Sequence, residues 1–406
     1  MKILVLNAGS STQKSCLYEL GQTLPQQPPT PLWSAQIDWT KHPGKALLQV
    51  KSAHAELEDK FSLNDRLAVI AAMFNTLWSG ETQVLNSPTD IDIVGHRVVH
   101  GGEEYRQPTL ITPEVKSAIA RLAEYAPIHN PVNLEGIEAI DKILGAGVTQ
   151  VAVFDTAFHS QIPAAAYVYP GPYEWLQQGI RRYGFHGISH QYCAQRTAQL
   201  LQQPINSLRL ITCHLGNGCS LAAIHNGYSV DTTMGFTPLE GLMMGSRSGS
   251  VDPGILIHLL RNQDIDAEKL DKILNSQSGL KGISGVSGDM RHIQEAMAQG
   301  NDREQLAFDI FVHSLRKHIG AMLASLGGLD ALVFTGGIGE NAPMVRASAC
   351  AGFAFLGLQL DLEKNPKSPR DTDIATTDSQ VRVVIVHTQE DWAIAQQCWR
   401  LINNSI

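Results

Sequence analysis

Polar and ionisable side chains follow almost every apolar segment that the sequence predicts to be a β-strand. The candidates for chemistry are Asn7, Arg97, His129, Asp155, His186, His214, Arg247 and Glu390. In open α/β sheets, ligands bind at the carboxyl ends of the strands, which is where these residues are expected. Phosphoryl transfer needs cations for the moving group, oxygen ligands for a metal ion and backbone N–H groups for phosphates. The sequence supplies all three.

The N-terminal segment has the composition of a phosphate-binding turn. An apolar run at residues 3–6 predicts a buried strand, and residues 15–18 predict a strand that returns beside it. The turn between them contains glycine, which lets backbone N–H groups approach an anion closely. Further groups for a phosphate are supplied by Ser10, Ser11, Thr12 and Lys14. The spacing is not that of a Walker A loop, and an ordinary hairpin is the alternative interpretation.

A later segment repeats this plan. Residues 209–224 combine an apolar strand, a glycine-containing turn and a second apolar strand. Asn226 and Gly227 then predict a tight hairpin. A third glycine-rich loop, at residues 335–341, follows another apolar strand. We therefore expect a duplicated architecture that binds a polyphosphate from two sides, with the third loop holding the nucleoside.

The composition is that of a globular protein with more than one domain. A chain of 406 residues is too long for one hydrophobic core, so two domains are expected. The net charge of −8 argues against nucleic acid or an anionic membrane as the main partner. The apolar runs are too short to span a membrane, and no signal peptide is recognised. The six cysteines form no C-x-x-C pair, so we expect reduced core thiols and a cytoplasmic protein.

Each candidate residue also has a simpler structural interpretation. Arginines commonly pair with surface acids, but Arg97 follows a buried strand and lies between two histidines, which favours an anionic ligand. Arg247 lies in a long loop, residues 235–254, with little acid nearby. Asp155 and Glu390 each follow a predicted strand; one such acid is often a helix cap, whereas two favour Mg²⁺. The histidine pairs lack a thiolate or an H-E-x-x-H context, so zinc is not expected.

The elements that position these residues follow from the apolar periodicity. Besides the strands of the two turns, strands are predicted at residues 91–94, 150–154 and 381–386. Helices are predicted over residues 63–79, 113–126, 134–144 and 302–326, from near Ser189, and after residue 387. The last helix is expected to pack back on the first domain. The predicted domains are therefore residues 1–154 with 388–406, and residues 155–387.

Short motifs are distributed in order over the whole chain. They are NAGSSTQK from residue 7, GHRVVHGG from 95, APIHNP from 126, VFDTAFH from 153, YGFHG from 183, CHLGNG from 213, GSRSGSVDPG from 245, SGDMR from 287, FTGGIGEN from 334 and TQED from 388. Together they resemble the acetate kinase family. The resemblance implies an α/β fold of two duplicated actin-like (ribonuclease H-like) domains, each with a central mixed sheet, and an active-site cleft between them. It also implies a homodimer.

The same resemblance implies roles for the matching polar residues. The magnesium site, with Mn²⁺ as an alternative ion, matches Asn7 and Glu390. The catalytic positions match Arg97 for the acetate carboxylate, Asp155 as proton donor or acceptor, and His186 and Arg247 as transition-state stabilisers. A carboxylate substrate, with a pKa of about 4, is already ionised and needs no strong base. Asp155 is therefore expected to organise the metal, a water molecule or an arginine.

Binding positions are implied in the same way. The substrate-binding positions match Arg97, Val99, Ile128, His129, Phe185 and Pro238, of which the apolar members surround the acetate methyl group. ATP or ADP is expected at Ser10, Thr12, Lys14, Thr212, Cys213, His214, Leu215, Gly216, Asn217, Gly218, Asp289, Met290, Arg291, Gly337, Ile338, Gly339, Glu340 and Asn341. Ile128 stands where the family usually has leucine, which changes the shape of the pocket.

The implied reaction is the reversible, Mg²⁺-dependent, in-line transfer of the ATP γ-phosphoryl group to acetate, giving acetyl phosphate and ADP. One methylene in an apolar pocket discriminates by only about 1–3 kcal/mol, so a propionate kinase is the alternative enzyme. A non-catalytic, ATP-binding switch protein on the same fold is an alternative from another class, and a metal hydrolase is a more distant one. Arg97, His186 and Arg247 argue against a switch, because a switch needs no carboxylate-binding site.

Overall fold

The computed structural model describes residues 1–9, 12–42, 44–63, 65–145 and 147–403. The strands are β1 (Lys2–Ala8), β2 (Thr12–Glu19), β3 (Trp33–His42), β4 (Lys45–Ser52), β5 (Glu56–Ser62), β6 (Ile93–Val98), β7 (Thr109–Leu110), β8 (Thr149–Phe154), β9 (Arg209–Leu215), β10 (Cys219–His225), β11 (Tyr228–Thr232), β12 (Ala331–Thr335), β13 (Thr372–Asp373) and β14 (Arg382–Ile385). The helices are α1 (Arg66–Asn75), α2 (Pro113–Arg121), α3 (Asn130–Leu144), α4 (Ala164–Tyr167), α5 (Glu174–Gln177), α6 (Gly187–Leu201), α7 (Pro253–Asn262), α8 (Ala267–Ser276), α9 (Gly279–Ser284), α10 (Met290–Ala298), α11 (Asp302–Leu326), α12 (Gly336–Asn341), α13 (Pro343–Ala351) and α14 (Glu390–Asn403). Within these described ranges, no helix is both long and apolar enough to cross a membrane.

The chain divides into two compact units. Unit 1 consists of Met1–Ala157 and Gln389–Ile406, and unit 2 consists of Phe158–Thr388. Unit 1 is therefore built from two segments that are separated in sequence by the whole of unit 2.

Unit 1 is built on an eight-stranded mixed sheet of order β5-β4-β3-β2-β1-β6-β8-β7. Strand β1 pairs antiparallel with β2 and parallel with β6, which in turn pairs parallel with β8. The β1–β2 hairpin places Asn7 opposite Lys14. Because β1, β6 and β8 run parallel, their carboxyl ends lie at one edge of the sheet. Asn7, Arg97 and Asp155 are located at these three ends.

Unit 2 repeats the central part of this topology in a six-stranded mixed sheet of order β11-β10-β9-β12-β14-β13. Strand β9 pairs antiparallel with β10 and parallel with β12, and β12 pairs parallel with β14. Asn226 and Gly227 connect β10 to β11 with φ of +54° and +83°, as a tight hairpin turn requires. Both units thus contain a hairpin followed by two parallel strands. The predicted duplicated α/β fold with two mixed sheets is confirmed.

Helix α14 packs directly on the sheet of unit 1. A β-carbon added at Gly95, in β6, would lie 2.6 Å from Cys398 Sγ and 2.8 Å from Ile394 Cγ2. Both distances are shorter than van der Waals contact, so only glycine at this position lets the helix approach so closely. This approach brings the first turn of α14, which contains Glu390, to the sheet.

Several predicted strand and helix boundaries in unit 1 differ from the observed ones. The helices predicted over residues 63–79 and 134–144 are Arg66–Asn75 and Asn130–Leu144. The strand predicted at residues 91–94 runs instead from Ile93 to Val98, so Arg97 belongs to the strand rather than to the loop after it. The carboxylate of Asp92 accepts a hydrogen bond from the Lys2 backbone N–H at 2.6 Å, just before β6 begins. The helix predicted over residues 113–126 ends at Arg121 and continues as a 3₁₀ turn.

In unit 2, helix α11 has the predicted bounds, but the predicted loop after β12 is a short helix. Gly336 reverses the chain with a φ of +77°, and its N–H donates to Glu340 Oε1 at 3.1 Å. The glycine-rich composition concealed this helix, because glycine disfavours helices by about 1 kcal/mol per residue.

Candidate active site

The carboxyl ends of β1, β6 and β8 bring together a network of charged and amide side chains. Arg97 donates from Nε to both carboxylate oxygens of Asp155 at 3.1 Å and from Nη2 to Oδ2 at 2.6 Å. Asn7 Nδ2 donates to Glu390 Oε2 at 3.1 Å and to Asp391 Oδ1 at 3.0 Å. Arg97 Nη1 lies 3.5 Å from Asn7 Oδ1 and connects the two halves of the network. We call these residues the carboxylate cluster.

The two acids at the start of α14 are held by the helix itself. Glu390 and Asp391 occupy its first turn, where the helix dipole favours negative charge. Glycine at position 95 lets this helix lie against β6. The cluster therefore depends on contacts between segments at opposite ends of the sequence.

The cluster contains more negative than positive charge, because three carboxylates face one guanidinium. Burial alone would lower the pKa of Arg97, but the charges of Asp155 and Glu390 outweigh it and raise that pKa above the usual value. Burial raises the pKa of Asp391, and the Asn7 amide and Lys14 partly offset that rise. The remaining negative charge attracts a cation.

The oxygen atoms of the cluster suit a hard divalent cation. The predicted magnesium ligands Asn7 and Glu390 both belong to it, and Asp391 adds a further carboxylate beside them. In phosphoryl-transfer sites, Mg²⁺ is commonly held by one or two protein carboxylates together with substrate phosphates. Among the described residues, no three His, Cys, Asp or Glu side chains are arranged to hold a metal ion by themselves. The donor set therefore fits Mg²⁺ shared with a phosphate ligand.

Asp391 is the member of the cluster that the sequence analysis did not identify. It follows Glu390 in the TQED motif, and acids at a helix start are common because of the dipole alone. Its Oδ2 also lies 3.8 Å from Cys16 Sγ, in β2. In the sequence, only its position next to the candidate Glu390 pointed to Asp391. That position does not distinguish a metal ligand from an acid that stabilises the start of a helix.

The predicted substrate-binding residues are distributed over both units. In unit 1, Val99 is buried after β6, whereas Ile128 is 51 % exposed and His129 is partly exposed, both just before α3. In unit 2, Phe185 is fully buried and Pro238 is partly exposed.

Unit 2 contains a cavity of about 680 Å³. Its lining residues are Gly216, Asn217, Gly288, Asp289, Met290, Arg291, Gln294, Gly337, Ile338, Asn341 and Ala342. The turn after β9, the segment that begins α10 and helix α12 thus meet around one space. These are three segments in which nucleotide-binding residues are predicted, and the volume is in the range of small-molecule sites.

Other predicted nucleotide-binding residues do not line this cavity. They are Thr12, Lys14, Thr212, Cys213, His214, Leu215, Gly218, Gly339 and Glu340. Thr212, Cys213 and Leu215 are fully buried in β9. Glu340, in α12, accepts a hydrogen bond at 3.1 Å from the backbone N–H of Thr388, the last residue of unit 2. Thr12 and the exposed Lys14 belong to unit 1, and Ser10 lies outside the described residues.

A second group of polar side chains surrounds the β9–β10 turn. His186, directly before α6, has a φ of +57°, a conformation that costs a non-glycine residue about 1–3 kcal/mol. Its ring stacks on that of His214 with centroids 4.3 Å apart. A β-carbon on Gly218 would lie 3.5 Å from His186 Nε2 and 3.6 Å from Arg247 Nη1. His186 and Arg247 therefore converge on the glycine turn.

Arg247 is a half-buried cation. Burial lowers its pKa, and no described carboxylate forms an ion pair with it. Its Nη1 lies 3.5 Å from the carbonyl oxygen of Pro238. Asp252, the nearest acid in sequence, instead caps α7 by accepting a hydrogen bond from the Gly254 N–H at 2.8 Å. Arg247 is therefore suited to an anionic ligand.

Two duplicated α/β units, with a carboxylate cluster in one and a nucleotide-sized cavity in the other, define a phosphotransferase of the actin-like fold. The chain belongs to the acetokinase family, whose family model matches residues 2–396. The match includes nearly all of both units.

Known proteins of this family are similar over the full length. The chain is 63 % identical to the acetate kinase of Cyanothece sp. (strain PCC 7425 / ATCC 29141) over 406 residues, which is 100 % of this chain and 99 % of that protein. The crystal structure of Porphyromonas gingivalis acetate kinase matches with a TM-score of 0.89 and 38 % identity, over 99 % of both chains. A crystal structure of a propionate kinase from Francisella tularensis matches with a TM-score of 0.88 and 36 % identity, over 98 % of both chains.

Removal of either partner of the Arg97–Asp155 ion pair is expected to destabilise the folded protein. Arg97→Met and Asp155→Asn should each lower the free energy of unfolding by about 3–5 kcal/mol, because each leaves a buried charge without its partner. The double variant should lose less than the sum, with a coupling energy of at least about 1 kcal/mol in urea unfolding.

The exposed pair of Lys51 and Glu56 is the control for this cycle. Both side chains are 69 % exposed, so the coupling between Lys51→Met and Glu56→Gln should be below about 1 kcal/mol. Equal coupling energies in the two cycles would contradict the structural importance of the Arg97–Asp155 pair.

Proposed function

We propose that this protein acts as an acetate kinase, which reversibly transfers the γ-phosphoryl group of ATP to acetate and gives acetyl phosphate and ADP. The observation that carries the proposal is the 63 % identity, over the whole chain, to a protein named acetate kinase. The geometry supports it, because unit 1 holds a partly buried arginine suited to a carboxylate and unit 2 holds a cavity suited to a nucleotide.

In this proposal, Arg97 binds the carboxylate of acetate. A guanidinium has five N–H donors, and Asp155 uses the Nε side and one Nη2 hydrogen. The Nη1 edge, whose only described contact is a long one of 3.5 Å to Asn7 Oδ1, is the side proposed to bind a second carboxylate. The acetate anion needs no base at neutral pH, so Asp155 acts by orienting Arg97 rather than by removing a proton.

The main barrier is electrostatic, because an acetate anion must approach an anionic phosphoryl group. Two unit charges about 4 Å apart repel by roughly 4 kcal/mol at an effective dielectric constant near 20. Arg97 on the acceptor and Arg247 on the transferring group offset this repulsion. His186 donates a hydrogen bond to a phosphoryl oxygen, and fixed donors of this kind lower a barrier without reorganisation.

The nucleotide is proposed to bind in the cavity of unit 2. Glycine residues at 216 and 337 let backbone N–H groups approach phosphates closely. Asn7 and Glu390 are proposed to hold Mg²⁺, or Mn²⁺ as an alternative, with Asp391 beside them. When bound, the ion neutralises charge on the ATP phosphates.

Acyl phosphate formation tests the proposed function. The protein is incubated with MgATP and acetate, propionate or butyrate, and the acyl phosphate is trapped with hydroxylamine. We expect the highest kcat/KM for acetate. A higher value for propionate would make the protein a propionate kinase, and ATP binding without any acyl phosphate would favour a non-catalytic switch protein.

The two arginines are expected to affect different kinetic parameters. Arg97→Ala should mainly raise the KM for the carboxylate, because it removes a contact made in the ground state. Arg247→Ala should mainly lower kcat, because its contact strengthens as charge moves. The exposed Arg106 provides a control, since Arg106→Ala should change neither parameter. Similar losses of both parameters in both site variants would refute this division of roles.

We also propose that the protein forms a homodimer through α7. None of the α7 residues is buried, and the apolar Ile255 and Ile257 are 48 % and 49 % exposed. A second copy of the chain would cover them. Sedimentation velocity should give twice the chain mass, and Ile257→Asp should give a monomer, whereas Leu362→Asp, at an exposed leucine outside α7, should not. A dimeric Ile257→Asp variant would show that another surface forms the contact.

Two further assignments are proposed. The first is a cytoplasmic location, because all six cysteines, each of which the structure describes, are buried and outside any disulfide, which suits a reducing compartment. The domain boundaries predicted from the sequence, residues 1–154 with 388–406 and residues 155–387, stay a prediction.

A further inference from the structure

A line of hydroxyl and imidazole groups connects His186 to the core of unit 2. His186 Nδ1 lies 2.8 Å from Ser220 Oγ, and Ser220 Oγ lies 2.7 Å from His190 Nε2. His190 Nδ1 lies 2.7 Å from Thr212 Oγ1. Ser220, His190 and Thr212 are all fully buried, and we call them the hydroxyl–imidazole chain.

The inner end of this chain sets the direction of its hydrogen bonds. Burial moves the pKa of His190 well below the usual value, so its ring is neutral, with one donor and one acceptor nitrogen. Among the described residues, His190 is the one hydrogen-bond partner of the Thr212 hydroxyl. If His190 Nδ1 donated, the hydroxyl hydrogen of Thr212 would be buried without an acceptor, which is unfavourable. Thr212 therefore donates to Nδ1.

The remaining hydrogen positions follow from this one. The neutral ring of His190 must carry its hydrogen on Nε2, and it donates that hydrogen to Ser220 Oγ. Ser220 then directs its own hydroxyl hydrogen to its other partner, His186 Nδ1. Because Nδ1 accepts, a neutral His186 ring carries its hydrogen on Nε2.

We infer that the hydroxyl–imidazole chain fixes His186 in the Nε2–H tautomer. This inference rests on the proposed function, in which His186 and Arg247 contact the transferring phosphoryl group. Nε2 is the ring nitrogen that lies beside Gly218, as Arg247 Nη1 also does. An Nε2–H donates to an anionic phosphoryl oxygen, whereas an unprotonated Nε2 would present a lone pair to it. Ser220, His190 and Thr212 are thus positioning residues, which act through His186 without touching the substrate.

Nitrogen-15 NMR of the imidazole side chains tests the inference without turnover. Spectra are recorded at about pH 8, above the ordinary histidine pKa, and the His186 signals are assigned by their loss in His186→Asn. We expect a protonated Nε2 and an unprotonated Nδ1 in the wild-type protein. Thr212→Val keeps the side-chain shape but removes the hydroxyl that donates to His190. Without it, the hydrogen bonds of the chain can reverse, so the Nδ1–H tautomer of His186 should become populated.

The same variants are then measured for activity. Thr212→Val and Ser220→Ala should lower kcat at least about tenfold, with little change in the KM for acetate, because the lost donor acts on the transition state. Ser229→Ala is the matched control. It removes a buried hydroxyl 2.8 Å from Nδ1 of another buried histidine, His159, and should preserve both the His186 tautomer and kcat.

Three results would overturn the inference. The first is an Nδ1–H tautomer in the wild-type protein, and the second is an unchanged Nε2–H tautomer in both Thr212→Val and Ser220→Ala. The third is a shifted tautomer with an unchanged kcat, which would separate the chain from catalysis. The spectra do not depend on activity, so a failure to form any acyl phosphate would count against the proposed function alone.

Discussion

The free energy of burying charge is the constraint on which unit 1 depends. Arg97 lies among strand ends because Asp155 binds it through two nitrogens, and Asn7 connects this pair to the two acids of α14. Asn7 and Glu390 are 383 residues apart in sequence, yet they share a hydrogen bond. Such a network fixes its side chains before any ligand binds, which is the condition for strong electrostatic stabilisation. The geometry of the carboxylate cluster therefore depends on the packing of α14 against the sheet.

In unit 2, the corresponding polar groups are imidazoles and hydroxyls rather than an ion pair. Its sheet has the same hairpin and parallel strands, but the polar groups near its β9–β10 turn are histidines paired with hydroxyls. His214 Nδ1 lies 2.8 Å from Ser189 Oγ, so both stacked histidines are held by serine. No described acid forms an ion pair with Arg247, which lies beside these groups. One topology thus carries a network of carboxylates around a guanidinium in unit 1 and a network of imidazoles and hydroxyls in unit 2.

The sequence predicted the features that depend on local pattern. Apolar periodicity located helix α11 at its observed bounds, and the two strand–turn–strand segments indicated the duplication. The sequence did not reveal features that depend on tertiary contact. Asp391 is indistinguishable from an ordinary helix-start acid until α14 packs on the sheet, and Ser220 is one small residue in an apolar strand. The short helix α12 was concealed by its glycines, which have a low helix propensity, and a hydrogen bond between Gly336 and Glu340 supports it in the folded protein.

The close packing at Gly95 has a consequence for the order in which the protein is made. The sheet of unit 1 is synthesised first, but the helix that covers it at Gly95 begins only at Glu390, after every residue of unit 2. During translation, the strands around β6 leave the ribosome without their covering helix, and apolar surface that Ile394 and Cys398 later bury stays exposed. Unit 2 is continuous in sequence, so all of its residues are synthesised before α14. The unit that begins the chain is therefore the last to complete its core, and it acquires two of its three cluster carboxylates only then.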